Sequence, residues 1–161
     1  MLIELYKTNK DFDKVREYSE ILIKKHPNYP EGYYNIAQLY EKSENNSQVI
    51  EYYTLALEKY NKYDKENFPD KENVVIENGK LDCIVGIANA YSNQSEFRKS
   101  LEKLLLIDPA SSNYSDIQRQ KYTDIVIDSL TKLYKTSPKS ANSYLKTFKN
   151  RNILPQNFSL K

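Results

Sequence analysis

An internal repeat is the feature that most constrains the fold of this chain. A shift of 34 positions superposes the first two segments, placing Tyr6 on Tyr40, Val15 on Val49, Glu17 on Glu51, Tyr18 on Tyr52 and Ile23 on Leu57. Within each segment, apolar residues recur at i, i+3, i+4 and i+7, the period of an amphipathic helix. The interruptions KTNKDFD and KSENNSQ supply Asn, Asp and Ser, which favour turns and helix N-caps. Each segment is therefore predicted to form two antiparallel helices.

Residues 30–61 carry the clearest form of this pattern. The residues at its recurring positions are Tyr33, Ile36, Ala37, Tyr40, Val49, Tyr53 and Ala56. The pattern resembles the tetratricopeptide repeat family, although Tyr33 stands where the family usually has Trp and Val49 where it usually has Ala. Pro27 matches the proline that ends a preceding repeat. The resemblance implies an all-α fold, a right-handed α-solenoid of about four stacked antiparallel helix hairpins with tyrosines packed between the helices.

The resemblance also sets the expected domain organisation. Residues 1–150 are predicted to form one helical repeat domain, with units at about 1–27, 30–64, 80–109 and 114–150, followed by a tail at 151–161. Tyr91 follows Tyr40 at a longer interval than the repeat requires, so extra residues are inserted between these units. The polar stretch 61–79 is predicted to be this inserted loop, with an added helical turn starting near Pro69. Because Met1 falls at about the sixth position of a repeat, we expect the chain to begin inside a longer protein.

The sequence shows no signature of catalysis or of metal binding. His26, the only histidine, lies in the turn KKHPNYP, where it is expected to be a surface or capping residue. His26 and the single cysteine, Cys83, belong to different units, whereas a metal site needs clustered ligands. We therefore expect a non-enzymatic protein without a metal or cofactor. No apolar run is long enough to cross a bilayer, and a lone cysteine fits a reducing compartment, so a cytoplasmic location is predicted.

A concave groove is the expected binding surface, since stacked helical hairpins generally bind other chains there. By the resemblance, the residues of this predicted groove are Tyr34, Asn35, Gln38, Glu41, Lys42, Asp82, Gly86, Asn89 and Asn93. These side chains are mostly polar, with several amides and a few acids, which favours an extended or helical peptide carrying some positive charge. The alternative for each residue is an ordinary hydrated side chain.

Some members of the family clamp the C-terminal carboxylate of a chaperone tail with Lys, Arg and Asn residues. Of that set only Asn35 is in place here. Glu4 stands where the first unit needs Asn, while Asp82 and Gly86 stand where the third unit needs Lys and Arg. An anionic tail would meet acid instead of base and lose charge-assisted hydrogen bonds. The sequence therefore predicts no chaperone-tail clamp.

The charge distribution suggests a second candidate surface. The net charge is +2, yet residues 129–161 carry seven basic side chains and no acidic one, which leaves residues 1–128 at −5. The residues of this basic C-terminal surface are Lys132, Lys135, Lys139, Lys146, Lys149 and Arg151. A solvated face and an acidic protein partner are the main alternatives, followed by nucleic acid or membrane. Tyr134, Tyr144 and Phe148 recur at helical spacing, which favours packing over base stacking.

Three functions remain compatible with the sequence. The favoured one is a non-catalytic scaffold that binds a partner polypeptide in the groove, within a multiprotein assembly. A helical-repeat RNA-binding protein is disfavoured, because the repeat has the tetratricopeptide period and residues 1–128 are acidic. A regulatory repeat segment of a larger enzyme is the third alternative.

Overall fold

A computed structural model gives the fold of residues 2–62, 73–108 and 114–160, and these residues form helices and no strand. The helices are α1 (Leu2–Thr8), α2 (Phe12–Lys25), α3 (Pro30–Lys42), α4 (Asn46–Asn61), α5 (Asn73–Asn93), α6 (Phe97–Leu104), α7 (Asp116–Thr136) and α8 (Pro138–Asn150). The predicted all-α class is thus confirmed for the described residues. The chain divides into two compact units, 1–83 and 84–161, and the boundary falls within α5.

The α3–α4 hairpin forms because each helix has apolar residues at helical spacing and begins at a residue that favours helix initiation. Pro30 occupies the first turn of α3, and the Asn45 side chain caps α4 by accepting a hydrogen bond from the Gln48 amide. Aromatic contacts show that the two helices are antiparallel. The Tyr40 ring, late in α3, lies 5.5 Å from the Tyr52 ring early in α4. Ile36, Ala37, Val49, Tyr53 and Ala56 are all buried.

Helix α3 also packs against α2 in an antiparallel arrangement. The Lys42 ammonium lies 3.8 Å from the centre of the Phe12 ring, which joins the end of α3 to the start of α2. At the opposite end, a Cβ on Gly32 would lie 2.7 Å from Ile23 Cγ1. Gly32 therefore permits an approach of the two helices that a larger residue would prevent.

The turns that end α1, α3 and α5 share one backbone conformation. Lys10, Glu44 and Ser95 have positive φ angles of 59°, 55° and 64°. In each turn the next residue donates a backbone hydrogen bond to the carbonyl five positions earlier, as in a Schellman motif, and the three pairs are Asp11 to Tyr6, Asn45 to Tyr40 and Glu96 to Tyr91. These three accepting residues are tyrosines of the sequence repeat, and the same turn also ends α8, where Asn152 has a φ of 56° and Ile153 donates to the Phe148 carbonyl.

In the second unit, α7 runs antiparallel to α6. The Tyr122 hydroxyl donates to the Leu104 carbonyl at 2.9 Å, and the Ser100 and Ser129 hydroxyls lie 2.9 Å apart. Helix α8 runs parallel to α6, because Ser140 accepts a hydrogen bond from Arg98 near the start of α6 and Arg151 donates one to the carbonyl of Leu105 at its end.

Helix α5 begins earlier than the sequence predicts. Residues 73–79 lie in the segment assigned to the inserted loop, but they form the start of this helix. Burial explains the difference, since Ile76 is 8% exposed and Gly79 lies so close to the Tyr60 ring that a Cβ there would overlap it. The remainder of the inserted loop, including Pro69, lies outside the described residues. In the part of the chain that is described, no helix has the length and apolarity needed to span a membrane.

Candidate functional site

A pocket of ≈ 260 Å³ opens among α1, α2 and α3 of the first unit. Its lining residues are Lys7, Phe12, Val15, Asn35, Gln38, Leu39, Glu41 and Lys42. We call it the α1–α3 pocket. Four of the predicted groove residues lie here, because α3 presents Asn35, Gln38 and Lys42 at i, i+3 and i+7 on one face.

The side chain of Asn35 is a largely buried polar group in this pocket. It is 5% exposed, and its amide atoms are not among the buried side-chain atoms of the described residues that lack a hydrogen-bond partner. Buried amides in folded proteins are nearly always paired. Since Asn35 lines the pocket, its amide is one of the polar groups that a ligand there would meet.

Two lysines and one carboxylate give the α1–α3 pocket a net positive lining. The exposed Lys42 lies over Phe12, and the Lys7 ammonium lies 5.9 Å from the centre of the Tyr34 ring. Glu41 accepts a hydrogen bond from the Tyr53 hydroxyl. The pKa of Tyr53 is raised, first by burial and then by the negative charge of Glu41.

A chain of two hydrogen bonds lies beside the α1–α3 pocket. Gln38 donates from Nε2 to the Tyr34 hydroxyl, which in turn donates to Asp82 Oδ2, with both distances 3.1 Å. Burial, and then the charge of Asp82, raises the pKa of Tyr34. The two acids of the predicted groove in this unit, Glu41 and Asp82, therefore already accept hydrogen bonds from tyrosines of the chain itself.

The other predicted groove residues belong to the second unit. Gly86 is buried, whereas Asn93 is exposed. Asn89 lines a separate pocket of ≈ 670 Å³, whose other lining residues come from α7 and are Asp116, Ile117, Gln120, Lys121, Asp124 and Ile125. The two units thus each contain part of the predicted groove set.

Sequence reasoning missed the residues of α1 and α2 that line the α1–α3 pocket. Lys7 could have been found, because the repeat aligns it with Glu41 and so gives it the equivalent position of the first unit. Phe12 and Val15 gave no such signal, since they are apolar residues at a helical period that is shared by the core.

Half of the basic C-terminal surface is engaged within the chain. Lys132 pairs with Asp128 at 2.8 Å, and Lys149 donates to the Gln156 carbonyl at 2.6 Å. Arg151 donates to the carbonyls of Leu105 and Ile107, both at 2.7 Å, and so supports the end of α6. Three exposed lysines have no partner among the described residues: Lys135, Lys139 and Lys146.

Isolated reactive groups do not assemble into a further site. Within the ranges the structure describes, no cluster of three or more His, Cys, Asp or Glu side chains could hold a metal ion. His26 contacts the Tyr29 ring at 5.4 Å, and Cys83 is buried, which raises the pKa of its thiol. A buried thiol with a raised pKa is a poor nucleophile.

No known family pattern matches this chain, and no curated protein matches its sequence.

Proposed function

We propose that this chain is a protein–protein interaction module that binds a partner polypeptide in the α1–α3 pocket. On this proposal its helix pairs are tetratricopeptide-like hairpins stacked as a right-handed α-solenoid, and the partner is held as part of a larger assembly. The observation that carries the proposal is that four predicted groove residues, Asn35, Gln38, Glu41 and Lys42, line one pocket of ≈ 260 Å³.

The recurring turns support the tetratricopeptide-like assignment. Schellman turns end α1, α3 and α5, and each accepts its hydrogen bond at a tyrosine that the sequence repeat aligns. Stacked repeats of this kind commonly present an inner surface to other chains.

The lining of the α1–α3 pocket favours binding over catalysis. Asn35 and Gln38 provide hydrogen-bond groups without acid–base capacity at neutral pH. Glu41, the one carboxylate among the described residues of the lining, already accepts the Tyr53 hydroxyl. The lining combines these polar groups with the apolar side chains of Phe12, Val15 and Leu39, which suits an anchoring side chain of a peptide.

The test is selection of peptides from a random display library on the full chain, followed by calorimetric titration of the selected sequences. We expect micromolar binding to the unmodified protein and clear weakening by Lys42→Glu. The matched control is Lys135→Glu on α7, which reverses an exposed lysine outside the pocket. Failure to recover any binding peptide, or equal weakening by the two variants, would contradict the proposal.

A further inference from the structure

We propose that the acidic row of α4, Glu51 and Glu58, docks on the basic row of α8 in a second copy of this chain. That basic row consists of Lys139 and Lys146. The contact uses none of the residues that line the α1–α3 pocket, so it goes beyond the proposed peptide-binding function. It follows from the charges that each helix leaves unpaired, from their equal spacing and from the opposite charges of the two units.

The acidic side chains of α4 form one exposed row. The helix carries three charged residues, and one of them, Lys59, has its ammonium 5.7 Å from the centre of the Tyr33 ring. The other two, Glu51 and Glu58, are exposed and form no ion pair with any described residue. Glu51 accepts a hydrogen bond from the amide of Gln48, which leaves its charge in place. Because the two glutamates are seven residues apart, they lie on one side of the helix with about 10.5 Å between them.

Helix α8 repeats this arrangement with the opposite charge. It also carries three charged residues, and the ammonium of Lys149 donates to the Gln156 carbonyl at 2.6 Å. Lys139 and Lys146 are exposed, have no partner among the described residues and are likewise seven residues apart. Two ammonium groups therefore match two carboxylates at the same spacing, whether the two helices run parallel or antiparallel.

The total charges of the two units favour the same contact. Residues 1–83 carry 12 basic and 16 acidic side chains, whereas residues 84–161 carry 12 basic and 6 acidic ones. Two copies of the chain therefore attract where unlike units face each other and repel where like units do. This favours a heterologous contact, in which different surfaces of two identical chains meet.

Other acidic residues of the first unit match α8 less well. Helix α2 has three acidic residues but four basic ones, and Lys14 pairs with Glu17 at 2.8 Å. In α5, Glu77 pairs with Lys80 at 3.0 Å. A carboxylate that already has a cation beside it gains less from a second one, so α4 is preferred over α2 and α5 as the docking helix.

The strength of the contact depends on salt. Ion pairs at a protein surface are individually weak, so both pairs must form together and the association is weak. The Debye length shortens from about 30 Å at 0.01 M salt to about 3 Å at 1 M salt, which screens the attraction between the two rows.

The first experiment measures the average mass of the full chain by sedimentation equilibrium. We expect this mass to increase with protein concentration at about 0.01 M salt and to stay that of one chain at about 1 M salt. The α8 variant, Lys139→Glu with Lys146→Glu, should weaken self-association at least about tenfold, because like charges then face each other. The matched control is Lys24→Glu with Lys25→Glu, which changes the net charge equally at exposed lysines of α2 and should leave self-association unchanged. The mass of a single chain at every concentration in low salt, or equal weakening by the two double variants, would overturn the proposal.

The second experiment exchanges the charges of the two rows. The α4 variant, Glu51→Lys with Glu58→Lys, should also lose self-association. Mixing it with the α8 variant should restore association, because every acidic row then meets a basic row again. Circular dichroism melting curves of both variants check that they are folded. Folded variants that remain single chains after mixing would exclude the contact between α4 and α8. Neither experiment involves a peptide, so failure here leaves the proposed function intact.

Discussion

Among the described residues, four non-glycine residues in helix-ending turns have a positive φ angle, and three of them, unlike Asn152, have side chains that disfavour it. Lys10, Glu44 and Ser95 have φ angles of 59°, 55° and 64°, in the left-handed region where glycine is normally found. A non-glycine residue there costs about 1–2 kcal/mol. The turns tolerate this cost because the helices on either side fix their ends.

The strain at Glu44 gives a prediction at this scale. Glu44→Gly should raise the free energy of unfolding by about 1 kcal/mol, because glycine adopts this conformation without a Cβ clash. Urea denaturation measures the change. Ser43→Gly is the matched control, since Ser43 has a φ of −94° and should gain nothing. An unchanged or lower stability for Glu44→Gly would contradict the backbone strain at Glu44.

Individual positions differed in how far the sequence could predict them. The burial of Tyr53 and Ala56 followed from helical periodicity, which determines the face that a helix buries. The contacts of Asn35 and Arg151 could not be predicted in this way, because they depend on which helices pack together.

At the scale of single elements, the end of α6 depends on a residue from beyond α8. The guanidinium of Arg151 donates to the carbonyls of Leu105 and Ile107, which follow the last turn of α6. The sequence placed Arg151 on a basic surface because its charge suggested a solvated role. Its position beside these carbonyls gives it a structural role instead.

Removing that contact should weaken the second unit. Arg151→Ala is expected to lower the free energy of unfolding by about 1–2 kcal/mol, because two carbonyls lose a charged donor. Chemical denaturation would measure the loss, and Lys146→Ala, an exposed lysine on α8 without a partner among the described residues, serves as control. Equal stability of the two variants would exclude a structural role for Arg151.

Helix identity was predictable, but the start of α5 was not. Periodic apolar residues and the capping residues Asp11 and Asn45 identified the early helices. The segment before Lys80 is polar and contains Gly79, a residue that normally weakens a helix. In the structure, packing against Tyr60 overrides that local preference.

At the scale of the whole molecule, buried tyrosines connect stability to pH. Burial raises the pKa of Tyr34, Tyr53 and Tyr122 well above the ordinary tyrosine value of 10.0. The folded state therefore keeps these protons at a pH where the unfolded chain has lost them. Their contribution to stability is complete below about pH 10 and falls as the pH rises further.

We therefore expect the free energy of unfolding to decrease above about pH 10, by up to about 1.4 kcal/mol per pH unit for each such tyrosine. Urea denaturation at several alkaline pH values measures this slope. Tyr53→Phe should make the slope shallower, because it removes one hydroxyl whose pKa is raised in the folded state. A stability that stays constant or increases above about pH 10 would contradict the burial of these hydroxyls.

The division of the chain at residues 83 and 84 has no counterpart in the sequence period. Periodicity identifies each hairpin from local apolar spacing, but it does not indicate which hairpins share a core. The predicted single repeat domain of residues 1–150 followed from the repeat alone and stays a prediction. The α1–α3 pocket was only partly predictable. The repeat identifies the α3 residues of its lining, but it does not show that Phe12 and Val15 of α2 complete that lining.

The most direct test of peptide binding in the α1–α3 pocket is an NMR titration of the isotope-labelled full chain with a selected peptide. We expect the side-chain amide signals of Asn35 and Gln38 and the backbone signal of Lys42 to shift with increasing peptide. Signals that stay unchanged at these three residues, while those of Lys135, Lys139 and Lys146 shift, would contradict it.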